Sequence, residues 1–224
     1  MSYGWVWFYY TAMKLRIHEI FHSLQGESSR VGLPTVFVRL TGCPMRCVYC
    51  DTEYAFTGGK SMELEAILGQ VAEYGARYVT VTGGEPLAQK DCLVLLRQLC
   101  DAGYEVSLET GGGIDTTGVD ERVAVILDVK TPGSGEVEKN YWTNLQRLKP
   151  KDEVKFVLCD RTDYEWAKEV LKQHDISQKC SVLFSPVYQQ VNPTELAEWI
   201  LQDKLPVRMQ VQLHKILWGE VPGK

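Results

Sequence analysis

Short apolar runs rich in β-branched residues alternate along this chain with longer segments in which apolar residues recur at helical spacing. Such alternation is typical of successive strand-helix units around a parallel sheet. The short runs predict strands over residues 15–21, 35–41, 78–82, 105–109, 124–129, 153–158, 180–184 and 208–213. The longer segments predict helices over residues 62–74, 88–101, 141–148, 164–174 and 193–202. The pattern therefore predicts an α/β fold.

Two of the predicted helices carry residues that favour a helix start. Thr162 and Glu165 have the spacing of a capping box, in which each side chain bonds the backbone N–H of the other residue. Asn192 is a favoured cap and stands directly before Pro193, which suits the first helical turn. We expect both segments to be amphipathic helices that cover the sheet.

The composition is that of a globular protein with one core. A chain of 224 residues with 45% hydrophobic and 24% charged residues is long enough to bury a sizeable core in one domain. A formal net charge of -5 argues against a broad nucleic-acid footprint, because that binding needs clustered Lys and Arg. We expect a small-molecule ligand instead.

The first twelve residues differ in composition from the rest. They are rich in Trp, Tyr and Phe, yet they are too short to span a bilayer and lack the basic start of a signal peptide. Because Met13 resembles a natural start, we interpret residues 1–12 as a non-native or upstream extension and residues 13–224 as a single domain. An aromatic anchor for a partner or a membrane surface is the alternative.

Three cysteines, Cys43, Cys47 and Cys50, lie in one short segment with the spacing C-x-x-x-C-x-x-C. Three thiolates without a fourth suit an iron-sulfur cluster that leaves one iron open to a ligand. A structural zinc site needs four closed ligands, and the other four cysteines form no second knuckle. A disulfide framework is also disfavoured, since the cysteine count is odd and the scattered cysteines suit a reducing compartment.

Chemically active residues follow the predicted strands, where ligands of α/β proteins gather. The segment Gly83-Gly84-Glu85 ends one predicted strand, and paired glycines let backbone approach a ligand closely. Glu109 ends the next strand, and the segment 128–130 ends the one after it with a charge pair. Each segment alone is also compatible with an ordinary turn or a solvated strand end. Their shared location favours a binding site.

The cysteine segment and the Gly-Gly-Glu-Pro segment together resemble the signature of the radical S-adenosylmethionine (radical SAM) superfamily. The resemblance implies an incomplete (β/α)6-type barrel in which Cys43, Cys47 and Cys50 hold a [4Fe-4S] cluster. It also implies that S-adenosylmethionine binds the open iron and is cleaved to a radical that abstracts hydrogen from the substrate. The residues that it assigns to S-adenosylmethionine are Tyr49, Cys50, Asp51, Gly83, Gly84, Glu85, Glu109, Asp128, Val129 and Lys130.

Further motifs are Leu24-Gln25-Gly26-Glu27, Leu40-Thr41-Gly42-Cys43, Cys50-Asp51-Thr52 and Gln212-x-His214-Lys215. Their order closely resembles that of the 7-carboxy-7-deazaguanine synthase family within the superfamily. The resemblance runs from Met13 to about Trp218 and is densest over residues 21–51. It implies substrate contacts from Leu24, Gln25, Gly26, Glu27, Arg39, Thr82 and His214. A carboxylate, an amide and exposed backbone suit the rim of a pterin, and the guanidinium fork of Arg39 suits a carboxylate. Thr52 falls where the family places a Mg²⁺ ligand.

The family resemblance implies a radical ring contraction of 6-carboxy-5,6,7,8-tetrahydropterin to 7-carboxy-7-deazaguanine with release of ammonia, in queuosine and other 7-deazapurine biosynthesis. It further implies a cytoplasmic homodimer that is reduced by an electron donor such as flavodoxin and that binds neither nucleic acid nor membrane.

Two other functions remain open from the sequence alone. A glycyl-radical-enzyme activase is also compact and uses the same three-cysteine loop. A non-enzymatic iron-sulfur or zinc module would use the cysteines to carry electrons or to support a partner.

Overall fold

A single open sheet organises the part of the chain that the structure, a computed structural model, describes, which is residues 13–224. Its strands are β1 (Lys14–Leu24), β2 (Pro34–Leu40), β3 (Lys60–Glu63), β4 (Tyr78–Gly83), β5 (Glu105–Thr110), β6 (Ala124–Asp128), β7 (Glu153–Leu158), β8 (Ser181–Pro186) and β9 (Arg208–Met209). The α-helices are α1 (Leu64–Glu73), α2 (Cys92–Asp101), α3 (Arg161–His174), α4 (Pro193–Asp203) and α5 (Leu213–Trp218). The interpretation of residues 1–12 as an extension lies outside the described residues.

The strand order is β3-β1-β2-β4-β5-β6-β7-β8-β9. Every neighbouring pair from β2 to β9 is parallel, whereas β1 runs antiparallel to both β2 and β3. The two ends of the sheet, β3 and β9, do not pair with each other. The sheet is therefore an incomplete barrel, as the resemblance to the radical SAM superfamily implied.

The outer face of the sheet packs against the helices in two apolar clusters. The first joins β1, β2, β4 and β5 to α1 and α2, and the second joins β6, β7 and β8 to α3 and α4. Because side chains alternate between the two faces of a strand, the residues between these apolar positions face the concave side. On β2 the apolar positions are Val36, Val38 and Leu40, so Arg39 faces the concave side.

Four predicted elements were wrong in part. Residues 62 and 63, predicted to begin a helix, lie instead in β3 (Lys60–Glu63), which pairs with β1. The segment 141–148 contains a 3₁₀ turn (Trp142–Gln146) instead of an α-helix. The strand predicted over 208–213 is limited to β9, and α5 begins at Leu213. Residues 88–91 precede α2, which begins at Cys92.

The starts of the two capped helices had different outcomes. The capping box of Thr162 and Glu165 was wrong: Asp160 is the N-cap of α3 and accepts a hydrogen bond from the N–H of Asp163. Glu165 instead forms an ion pair with Arg161 one turn earlier. The cap of α4 is confirmed, since the Asn192 side chain accepts a hydrogen bond of 2.9 Å from the N–H of Thr194.

Within residues 13–224, every helix is too short or too polar to cross a membrane.

The α4 cap gives a direct test of this local structure. Replacing Asn192 by Ala removes the acceptor for the Thr194 N–H, so we expect the free energy of unfolding in urea to fall by about 1 kcal/mol. The control is Asn192→Asp, which keeps a capping oxygen and should keep the wild-type midpoint. Equal destabilisation of both variants would show that the cap itself contributes nothing.

Candidate active site at the carboxyl ends of the strands

Two adjoining cavities open at the carboxyl ends of the parallel strands. The cysteine cavity has a volume of about 410 Å³ and is lined by all three cysteines of the C-x-x-x-C-x-x-C segment. The arginine cavity has a volume of about 480 Å³ and is lined by Arg39 and the end of β1. The residues that line both cavities are Cys50, Asp51, Thr52, Thr82, Gly83, Glu109, Lys155, Gln212, Lys215 and Glu220.

The cysteine loop, residues 43–50, follows β2 and is held by the loop that follows β6. The N–H of Val48 donates to the carbonyl of Ser134 at 3.1 Å, and the Lys139 ammonium donates to the carbonyl of Pro44 at 2.6 Å. Glu136 accepts a hydrogen bond from the N–H of Arg46. The loop is therefore tied to the scaffold by groups other than its cysteines.

All seven cysteines of the chain are free thiols, so the structure contains no disulfide framework. Burial raises the pKa of the Cys43, Cys47 and Cys50 thiols. They are therefore neutral at pH 7 until a cationic group binds and displaces their protons. Within residues 13–224, no three His, Cys, Asp or Glu side chains converge on one point where a single metal ion would fit. Three thiols that line one cavity, with no fourth cysteine beside them in its lining, fit an iron-sulfur cluster that keeps one iron open.

The paired glycines make room for the cysteine loop. A Cβ atom on Gly84 would lie 2.4 Å from the carbonyl oxygen of Gly42 and 2.6 Å from the Cβ of Cys43. The N–H of Glu85 donates to the same carbonyl at 2.8 Å. Only glycine at position 84 lets the backbone after β4 lie this close to Gly42 and Cys43 at the start of the cysteine loop.

Glu85 lies behind the cavity wall. Its buried carboxylate accepts hydrogen bonds from the N–H of Leu87, the hydroxyl of Thr110 and the N–H of Gly111. Val129 is also buried, and its N–H donates to the carbonyl of Lys155 at 2.9 Å. These two residues are the only ones of the predicted set that line neither cavity.

Two buried polar atoms in the cysteine cavity have no hydrogen-bond partner among the described residues. They are Oδ1 of Asp128 and the hydroxyl of Tyr49. Asp128 uses its other oxygen to pair with Lys130 at 3.0 Å, and the Lys130 ammonium lies 6.0 Å from the centre of the Tyr49 ring. Because buried polar atoms normally have partners, this wall fits a polar ligand such as S-adenosylmethionine.

The predicted pterin-binding residues lie together in the arginine cavity. Leu24, Gln25, Gly26 and Glu27 line it at the end of β1. The Gln25 amide donates to Thr80 at 3.2 Å and to Glu109 at 3.1 Å, while the hydroxyl of Thr82 donates to Glu109 at 3.0 Å. Burial raises the pKa of Glu109. The cavity therefore has a hydrogen-bonded floor made of side chains from β4, β5 and the loop after β1.

Glu27 lies between a cation and an amide. Oε2 accepts from the Lys155 ammonium at 2.6 Å, and Oε1 accepts from the Gln212 amide at 2.8 Å. Burial alone would raise the pKa of Glu27, but the charge of Lys155 and these two hydrogen bonds lower it. Glu27 is therefore a carboxylate at neutral pH.

Arg39 is held on one side and open on the other. Its Nε donates to Glu19 at 2.7 Å, and its guanidinium lies over the rings of Phe21 and Tyr54 at 5.7 and 5.8 Å. The Tyr54 hydroxyl donates to the same oxygen of Glu19 at 2.9 Å. Among residues 13–224, the terminal nitrogens of Arg39 have no hydrogen-bond partner, so they are available to a carboxylate.

His214 lies in the first turn of α5, and Thr52 lies two residues after the cysteine loop. A Cβ atom on Gly26 would lie 2.1 Å from Nδ1 of His214, so the imidazole packs directly on that glycine. Burial lowers the pKa of His214. The hydroxyl of Thr52 donates to Asp51 at 2.9 Å, and Asp51 pairs with Lys215 at 3.2 Å. Burial opposes ionisation of Asp51, but Lys215 and these hydrogen bonds lower its pKa to about 2.

The sequence analysis missed Lys155, Glu19 and the loop 187–190, which line or support the site. Lys155 had a usable signal: it stands between Val154 and Phe156, which are core residues, so the strand period places it on the concave face. Glu19 and the loop 187–190 carry no comparable signal, because only chain folding brings them to the site.

Comparisons with known proteins agree with this geometry. The profile of the radical SAM superfamily matches residues 37–198. A 7-carboxy-7-deazaguanine synthase from Chlorobaculum tepidum is 48% identical over 93% of this chain and 96% of its own length. The synthase of the same name from Koribacter versatilis is 43% identical over 91% of this chain and 97% of its own length. The crystal structure of QueE from Escherichia coli superimposes with a TM-score of 0.75 at 25% identity, covering 90% of this chain and 95% of QueE.

The chain is thus a radical SAM enzyme, and its cofactors are a [4Fe-4S] cluster and S-adenosylmethionine. Within that superfamily it belongs to the 7-carboxy-7-deazaguanine synthase family. The family resemblance and the incomplete barrel are confirmed. The glycyl-radical-enzyme activase and the non-enzymatic module are not favoured.

The contact between Gly84 and the cysteine loop can be tested by substitution. The added methyl group of Gly84→Ala must displace the loop, and such overpacking costs about 1–3 kcal/mol. We expect the iron and sulfide content of the anaerobically reconstituted protein to fall severalfold. The matched control is Gly69→Ala on α1, where a Cβ atom meets nothing within 4 Å. A Gly84→Ala protein with wild-type iron and a wild-type optical spectrum would contradict the steric argument.

Proposed function

We propose that this enzyme converts 6-carboxy-5,6,7,8-tetrahydropterin to 7-carboxy-7-deazaguanine with release of ammonia by radical-mediated ring contraction. The observation that carries the proposal is the pair of joined cavities. One holds three thiols and unpartnered polar atoms, and the other holds a carboxylate and an open guanidinium. This arrangement suits a radical source on one side and a flat substrate with an N–H edge and a carboxylate on the other.

The cysteine cavity would bind the radical source. Cys43, Cys47 and Cys50 would hold the iron-sulfur cluster. The cluster and bound S-adenosylmethionine would together supply the radical that starts the reaction. The residues that would contact S-adenosylmethionine directly are Tyr49, Cys50, Asp51, Gly83, Gly84, Glu109, Asp128 and Lys130. Glu85 and Val129 would support them from behind the cavity wall. Glu85 would do so through its hydrogen bonds with Thr110 and Gly111, and Val129 through the hydrogen bond from its N–H to the carbonyl of Lys155.

The arginine cavity would bind the substrate by its two ends. Glu27 would accept from the amino-pyrimidinone edge, with Leu24, Gln25 and Gly26 beside it. The free terminal nitrogens of Arg39 would hold the substrate carboxylate as a planar fork. Thr82 and His214 would close the two sides. Holding both ends fixes the substrate against the shared wall, which positions it for hydrogen transfer.

Thr52 would hold Mg²⁺ on the wall that both cavities share. Its hydroxyl is a hard oxygen next to the Asp51 carboxylate, which suits this ion, and substrate oxygens and water would complete the coordination shell. The ion would neutralise the substrate carboxylate and orient it.

We also propose that an external donor such as flavodoxin reduces the cluster, and that the enzyme acts as a homodimer in the cytoplasm. Val48, which lies between two cluster cysteines, has 69% of its surface exposed and leaves the loop accessible to a donor. Free thiols throughout the chain suit a reducing compartment.

The reaction is tested by assay of the reconstituted enzyme. The anaerobically loaded, reduced protein is given S-adenosylmethionine, Mg²⁺ and the carboxylated tetrahydropterin, and we expect 7-carboxy-7-deazaguanine by mass spectrometry. Cys47→Ala should lose both the cluster spectrum and the product, while Cys100→Ala, a buried thiol on α2, should retain both. An intact cluster that cleaves S-adenosylmethionine without forming this product would overturn the proposed substrate.

The role of Arg39 predicts a change in KM. Loss of a charge-assisted hydrogen bond in Arg39→Gln removes about 1.5–3 kcal/mol of binding, so we expect KM for the pterin to rise about 10- to 100-fold. The control is Arg97→Gln on the exposed face of α2, which should leave KM unchanged. A wild-type KM in Arg39→Gln would show that the guanidinium does not hold the substrate.

A further inference from the structure

Lys155 joins the two cavities. Its ammonium lies 2.6 Å from Oε2 of Glu27 in the arginine cavity and 3.7 Å from Oδ2 of Asp128 in the cysteine cavity. Its side chain is 14% exposed and lines both cavities. Because lysine is seldom buried unless it is paired, this position requires the two carboxylates.

The sheet explains how Lys155 reaches this place. Val154 and Phe156 on either side of it point into the core, so Lys155 points to the concave side. The parallel register of β6 and β7 pairs Lys155 with Asp128 directly. Glu27 then approaches from the loop after β1 and is the closer of the two carboxylates.

The contact determines what Glu27 offers to a ligand. An ionised carboxylate has about four acceptor positions and no donor. Lys155 and the Gln212 amide occupy one position on each oxygen, and the others remain for a ligand. A neutral carboxyl group would instead present an O–H donor.

Among the described residues, Lys155 is the one cation that pairs with Glu27. Asp51, directly after the cysteine loop, is a further carboxylate, and it is already paired with Lys215 from α5. Glu109 from β5 has no cation in hydrogen-bond contact among the described residues, and His214 is kept neutral by burial. Lys155 is therefore the cation on which the carboxylate depends.

We propose that Lys155 is a positioning residue that keeps Glu27 an acceptor-only group, and that it thereby makes the site select a 2-amino pterin over its 2-oxo analogue. The inference rests on the proposed function and deepens it. The 2-amino group of a pterin donates a hydrogen bond to the Glu27 carboxylate. A 2-oxo group is itself an acceptor, so it and the carboxylate oxygen opposite it are both left without a donor. Without Lys155, a protonated Glu27 would donate to the oxo group, and the preference would shrink.

The experiment measures equilibrium binding of two stable analogues, 6-carboxypterin and 6-carboxylumazine, to the oxidised holoenzyme by isothermal titration calorimetry. They share the carboxylate and differ in the 2-amino or 2-oxo group. We expect the wild-type enzyme to bind carboxypterin about tenfold or more tightly than carboxylumazine. Lys155→Met should weaken carboxypterin about tenfold or more while changing carboxylumazine little, so the ratio falls towards one.

Three further variants separate selection from a structural role. Lys155→Arg retains a cation beside Glu27 and should keep most of the wild-type ratio between the affinities for carboxypterin and carboxylumazine. Lys172→Met, on the exposed face of α3, should leave both affinities unchanged. If Lys155→Met does not fold, Glu27→Gln tests the same point, because its amide both donates and accepts and should also lower the ratio.

The outcomes distinguish this inference from the function on which it rests. If both analogues weaken equally and the ratio persists in Lys155→Met and Glu27→Gln, Lys155 is only structural and the inference fails, while wild-type turnover leaves the proposed reaction intact. If the wild-type enzyme binds neither analogue and forms no product, the proposed function fails and the inference fails with it.

Discussion

The two-residue period of the parallel strands is the constraint on which the rest of this enzyme depends. One face of each strand is apolar and packs on the helices, which frees the other face for chemistry. On β2, β4, β5, β6 and β7 the concave positions include Arg39, Thr82, Glu109, Asp128 and Lys155. A shift of one residue in any of these strands would exchange a charged group with a core residue. The core therefore specifies the position of the active-site groups.

Steric fit between two loops is a second constraint. The start of the cysteine loop and the turn after β4 touch where Gly84 packs on Gly42 and Cys43. A hydrogen bond from the N–H of Glu85 to the carbonyl of Gly42 joins them. The buried carboxylate of Glu85 in turn binds the end of β5. A segment that looks like a ligand-binding motif thus also holds three pieces of backbone together, and this explains why it needs two glycines and a carboxylate.

Charge completes the site. The concave face places the carboxylates of Asp128 on β6 and of Glu27 after β1 beside the ammonium groups of Lys130 and Lys155. Pairs of this kind add little net stability, because desolvation offsets much of the attraction. Their value here is geometric and chemical, since each pair fixes its carboxylate in one place, and the ammonium of Lys155 lowers the pKa of Glu27 so that this side chain stays ionised while a polar ligand enters.

The sequence by itself determined the fold class and the family, and it predicted most of the side chains that line the two cavities. Local signals suffice for these, because strand alternation, the spacing of three cysteines and a Gly-Gly turn are properties of short segments. The tertiary structure alone decided the partnerships: β3 pairs with β1, Glu19 holds Arg39, and Gln212 reaches Glu27 across 185 positions. It also showed that Glu85 and Val129 lie behind the cavity wall. These contacts depend on how distant segments pack, and no local pattern encodes which distant residue will arrive at a given side chain.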